Sequence, residues 1–80
     1  MTWTKIARSD DGSVITYAAD GTDERLLVQS VKHTVEHANR GGTWEYTSFF
    51  VICDGVELIE KWRLKEAKEY AEKAWEERHD

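Results

Sequence analysis

The 80-residue chain has no proline, one cysteine and one methionine, and its apolar runs are short. Each shortage removes a class of protein. A lone Cys53 excludes an internal disulfide, and its apolar neighbours give it the ordinary role of a small buried hydrophobe. A single thiol suits a reducing compartment. No apolar run approaches the roughly 18 residues a membrane-spanning helix needs, and no basic-then-apolar leader opens the chain. The expected location is therefore a cytoplasm, that of the host if the chain is viral. Without proline, the chain lacks one device for blunting a sheet edge. There is no Gly-rich phosphate loop, nucleophile elbow or His-Glu-x-x-His motif, so no cofactor is expected and the chain is read as no enzyme.

Positive charge is also scarce. Eleven Lys and Arg face sixteen Asp and Glu, a net charge of −5. Residues 1–40 carry five basic against six acidic side chains, and residues 41–80 carry six against ten, so the acidity lies in the second half. Such a chain repels a phosphate backbone, which makes nucleic acid an unfavoured partner.

Aromatic residues are plentiful by contrast, with four Trp in 80 residues. Their pattern points to strands. Trp3 to Arg8 and Val14 to Ala19 flank Ser9-Asp10-Asp11-Gly12-Ser13, a hairpin turn in which Asp-Gly supplies positive φ. Asp20 to Glu24 is a second turn. Asp10 with Asp11, and Asp20 with Asp23, are paired carboxylates, but turn chemistry accounts for them.

Arg25 to Asn39 fits two readings. Leu27, Val31, Val35 and Ala38 could form a helical stripe, which would make the chain a ββα duplicate. Val28, Val31, Thr34 and Val35 are β-branched, and Gly41-Gly42 follows where a hairpin would turn. Strand is favoured, with a bulge or break expected near Lys32 to Thr34. Trp44 to Cys53 is the clearest strand, and Val56 to Trp62 returns across Asp54-Gly55. From Leu64 the spacing of Leu64, Ala67, Ala71, Ala74 and Trp75 becomes helical, with Lys–Glu pairs at i,i+4 on the outer face. The fold class is α+β: an antiparallel sheet of four or five strands packed by one C-terminal amphipathic helix, in a single domain spanning 1–80.

The stretch "SFFVICDGVELIEKWRLKEAKEYAEKA", Ser48 to Ala74, resembles small uncharacterised bacterial and bacteriophage proteins that end in strand, DG turn, strand and an LKEAK helix. The resemblance covers about half the chain and implies a phage or mobile-element accessory role. The helix start also looks a little like that of double-stranded-RNA-binding domains, through Lys65, Ala67 and Lys68. Glu66 stands where that family is basic, and its N-terminal helix is absent.

Three groups could carry function. His33 and His37 would share a helix face and hold a metal, but on a strand they stand roughly 13 Å apart. No metal site is therefore expected there. Lys32, His33, His37 and Arg40 cluster toward the Gly41-Gly42 turn. With Arg63, Lys65 and Lys68, Lys32 and Arg40 form the weak candidate contacts for an anion or nucleic acid. The third group is the aromatic strand itself. One face carries Trp44, Tyr46, Phe50 and Ile52, the expected core beneath the helix; the other carries Phe49, Val51 and Cys53, the expected surplus. Phe49, Val51, Trp44 and Tyr46 are thus the candidate protein-interaction residues. An 80-residue chain has little core of its own, and large apolar patches are rarely left bare. A homodimer, or a host or viral protein partner, is expected.

Overall fold

A computed structural model describes residues 1–37, 39 and 41–79. Five strands follow in order: β1 (Trp3–Arg8), β2 (Val14–Ala19), β3 (Leu26–Glu36), β4 (Thr43–Cys53) and β5 (Val56–Lys61), before one helix, α1 (Leu64–His79). They form an antiparallel meander in which every strand pairs with its sequence neighbours. Short turns dictate this order. Gly12, Gly42 and Gly55 take positive φ in three of the four strand connections, a conformation cheap only for glycine. The expected α+β class holds, with five strands and one C-terminal helix.

Residues 26–36 are strand, so the ββα duplicate does not form. The expected irregularity near Lys32–Thr34 is absent as well. The β3–β4 register runs unbroken from Leu26 opposite Cys53 to Glu36 opposite Thr43. The breaks fall elsewhere, between Lys5 and Ala7 and between Val51 and Ile52. Continuous pairing with β4 carries β3 through its poor apolar alternation. The helical i,i+4 Lys–Glu pairs do not close among the described ion pairs, as suits solvated side chains on an outer face.

The core lies between the sheet and α1. Leu26, Val28, Val51, Cys53, Ala67 and Ala71 are fully buried there, with Trp3, Phe49, Ile59, Leu64 and Trp75 packed around them. The small Ala67 and Ala71 bring the helix close to Val51 and Cys53. This reverses the faces expected from the sequence. The helix covers Phe49, Val51 and Cys53, and leaves Trp44, Tyr46, Phe50 and Ile52 on the opposite side. Bulky rings beneath α1 would hold it away from the sheet, whereas alanine against valine and cysteine permits close packing.

β3 and β4 outrun their neighbours. β2 pairs with β3 only as far as Val31, and β5 pairs with β4 only from Phe49. Beyond those points His33, Thr34, Val35 and Glu36 pair with Tyr46, Glu45, Trp44 and Thr43 as a two-stranded arm. The molecule measures 52 × 23 × 19 Å. Its radius of gyration is 14.4 Å, against about 12 Å for a compact chain of this length.

Candidate functional site

Side chains alternate across a strand, so the register sorts the arm into two unlike faces. One face carries Thr34, Glu36, Thr43 and Glu45, all polar, with Lys32 Nζ 3.7 Å from Glu45 Oε2 nearby. The other carries His33, Val35, Trp44 and Tyr46. These rings pack on one another. His33 stacks on Tyr46 with centroids 4.6 Å apart, Trp44 lies 5.3 Å from Tyr46, and Trp62 closes in from the end of β5 at 5.9 Å. His33 Nε2 is 2.7 Å from Ser48 Oγ, which gives that buried hydroxyl its partner. The hydrogen bond ties the foot of the arm to the sheet.

This apolar face does not end at the arm. The same register places Phe50 and Ile52 of β4, Leu27 and Val31 of β3, and Val14 and Ala18 of β2 on the side away from α1. Among the described residues no helix or loop packs there: α1 contacts β3, β4 and β5 from the other side. Trp44 and Trp62 remain 44% and 62% exposed. With Val35 and Tyr46 they line an open apolar groove of about 420 Å³. Among the described residues, the acidic side chains that the register places on this face are Glu57 and Glu60 on the edge strand β5.

The four interaction candidates therefore divide. Trp44 and Tyr46 belong to the open face. Val51 is fully buried beneath α1, and Phe49 packs against the same core. Neither presents the free surface expected of it. Sequence reasoning misses Val31, Val35, Leu27 and Trp62 as members of the open face. The alternation was legible, but which side the helix would take was not.

The weak basic candidates are not gathered into one surface. Lys32 pairs with Glu45 on the arm. Lys68 lies over the rings of Trp3 and Tyr17, at 5.9 and 5.3 Å, and shares a surface groove with Lys65, Glu69 and Glu72. Arg63 is exposed ahead of the helix, and Arg40 lies outside the described residues. His33-Thr34-Val35-Glu36-His37 has the spacing of an inverted zincin motif. That motif needs a helix to bring its histidines together, and the segment is strand to Glu36.

The carboxylates serve turns. Asp11 accepts hydrogen bonds from the Ser13 hydroxyl, the Ser13 amide and the Ser9 hydroxyl, which lower its pKa to about 2. Asp20 accepts from Thr2 and Thr4, which pull its carboxyl below the usual range and tie β1 to the end of β2.

A third grouping sits at the far end of the molecule from the arm tip. Cys53 Sγ lies 3.8 Å from Asp54 Oδ2, and His79 Nε2 of α1 lies 3.6 Å from the same oxygen. Arg25 Nε holds the other oxygen, Oδ1, at 2.6 Å and keeps the Asp54 carboxyl below its ordinary range. Burial, aided by the Asp54 charge, pushes the Cys53 thiol up. Sequence spacing gives no hint of this trio, because only the packing of α1 brings His79 to the β4–β5 turn.

No helix among the described residues is long and apolar enough to cross a membrane. Comparison of the chain with protein-family models, with curated proteins and with solved structures finds no match.

Proposed function

We propose that the chain is a non-enzymatic protein-interaction module whose open sheet face packs against a second copy of itself. The carrying observation is the largely apolar face from Leu27 and Ile52 to Trp44 and Trp62, interrupted only by Thr16, Gln29, Ser48 and His33 along its middle, with no covering element among the described residues. Monomers rarely leave so large a patch bare.

Size supports the reading. Strand spacing and rise outline a face of about 600 Å² per copy. A pair of such faces buries about 1,200 Å², the lower bound of stable specific interfaces. Charge supports a particular arrangement. A two-fold axis parallel to the strands lays arm on arm and sets the β5 edge of one copy over the β1 edge of the other. Glu57 and Glu60 then avoid their own copies, and the apolar side of each arm, with Val35 and Trp44, lies against the other arm. The result is a sandwich of two sheets with a helix on each outer face. Chemistry argues for binding over catalysis. The one thiol is buried and raised in pKa, the reverse of an activated nucleophile.

Sedimentation across a concentration series tests the proposal. The expected particle has twice the 9.3 kDa chain mass. Trp44→Glu, on the exposed arm, should return it to one chain without unfolding it. A wild-type monomer at about 100 µM, far above ordinary dimer dissociation constants, would remove the self-association reading and leave the face to a different protein.

A further inference from the structure

We propose that Cys53, Asp54 and His79 form a zinc site that pins the C-terminal end of α1 to the β4–β5 turn. The three residues offer a sulfur, a carboxylate oxygen and an imidazole nitrogen, all within 4.8 Å of one another. A borderline-soft ion that accepts all three ligand types is zinc.

The spacing itself carries the argument. With zinc–sulfur bonds near 2.3 Å and zinc–nitrogen and zinc–oxygen bonds near 2.0 Å, tetrahedral angles set ligand-to-ligand edges at about 3.3–3.5 Å. The two edges that meet at Asp54 Oδ2 measure 3.8 and 3.6 Å. The first is a weak thiol hydrogen bond and the second is too long for one, and both are close to the edges of a metal polyhedron. The remaining edge, between Cys53 Sγ and His79 Nε2, closes by a side-chain adjustment of about 1 Å in the last helical turn, well within rotamer freedom.

The surroundings resemble an outer shell. Arg25 grips Oδ1 and leaves Oδ2 turned toward the thiol and the imidazole. The Asp54 amide donates to the Arg25 carbonyl at 2.9 Å, so the turn that carries two of the ligands is fixed by backbone as well. Trp75 packs on the His79 ring at 3.7 Å between centroids. Outer contacts of this kind orient ligands and sharpen affinity. Asp54 and His79 keep 33% and 26% of their side chains exposed, which gives an ion its way in and leaves a fourth position to solvent. The buried thiol loses its proton to solvent when the metal binds.

Cobalt(II), a spectroscopic stand-in for zinc, tests the site in the full chain. The expected result is one equivalent bound, with a thiolate-to-cobalt charge-transfer band and intense tetrahedral visible bands that zinc displaces. Zinc should raise the melting temperature and EDTA should reverse the gain. His79→Gln, a near-surface change, should weaken cobalt binding more than about a hundredfold, beyond the usual loss for an outer contact. Cys53→Ala should abolish the charge-transfer band. A His33→Gln, His37→Gln double variant should bind as wild type. Absence of the charge-transfer band, or a loss of less than about a hundredfold in His79→Gln, would overturn the site even if Cys53→Ala failed to fold. Trp44→Glu should bind cobalt normally, so this test stands apart from the dimer.

Discussion

β3 and β4 are each 11 residues long, and the same two strands live in two different environments. At one end they are the floor of the core. Leu26, Val28, Val51 and Cys53 face α1 there, and neighbouring strands pair on both sides. At the other end they form a two-stranded arm with Trp44, Tyr46 and Val35 on one face and only threonines and glutamates opposite. A lone hairpin is marginal in water. Stacked rings, the His33–Ser48 hydrogen bond and continuity with the sheet are what this arm has instead of a core. The contrast teaches that apolar residues on one strand serve two purposes: those under α1 hold the fold, and those away from it form a surface.

The largest effect should come from emptying the covered end. Leu26→Ala removes a fully buried side chain and is expected to lower stability by about 2–5 kcal/mol, measured by urea unfolding. A change no greater than that of an exposed residue would mean that the helix does not seal this end. Next, Trp44→Glu on the arm should cost the monomer under about 1 kcal/mol, since exposed substitutions are mild. The same change should abolish self-association in sedimentation. The opposite pattern, a destabilised chain with unaltered assembly, would make the arm part of the fold and not of an interface.

The arm's turn gives a smaller effect. Gly42 sits at φ +84, so Gly42→Ala should destabilise by about 1 kcal/mol. Amide exchange should rise mainly along His33–Glu36 and Thr43–Tyr46, leaving Leu26–Val28 protected; uniform loss of protection would join the two ends into one cooperative unit.

Acid should reveal the smallest difference. Hydrogen bonds hold the carboxyls of Asp11 and Asp20, in the turn and edge around β1, below the ordinary aspartate range, and Asp11 reaches about 2. A depressed carboxyl stabilises the fold above its unfolded pKa, and that contribution disappears as pH falls through the folded value. Melting temperature should therefore decline from about pH 4 toward pH 2. Asp11→Asn should flatten part of that decline, and a variant with wild-type slope would place the acid sensitivity elsewhere.

Most of this fold was legible before any coordinates. Asp11-Gly12, Gly41-Gly42 and Asp54-Gly55 mark the hairpins, because positive φ at those places is cheap for glycine. The three- and four-residue spacing of Leu64, Ala67 and Ala71 marks the helix at its observed start. The strand at 26–36 could be chosen over a helix from its β-branched residues, but its evenness could not. An unbroken register with β4 overrides a weak alternation.

The chain's own chemistry thus determined the elements, their order and the existence of two apolar faces on β4. Those properties are local: turn φ, side-chain period and propensity. Tertiary structure alone decided which face became core. The link of Trp62 and Arg63 sends α1 to one side, and Ala67 and Ala71 fit closely only over Val51 and Cys53. That single choice turned Val51 from a surface candidate into buried packing. It left Trp44 and Tyr46 in the open and carried His79 to Cys53 and Asp54. Contacts between residues far apart in the chain depend on how layers stack, and the period along one strand does not record that.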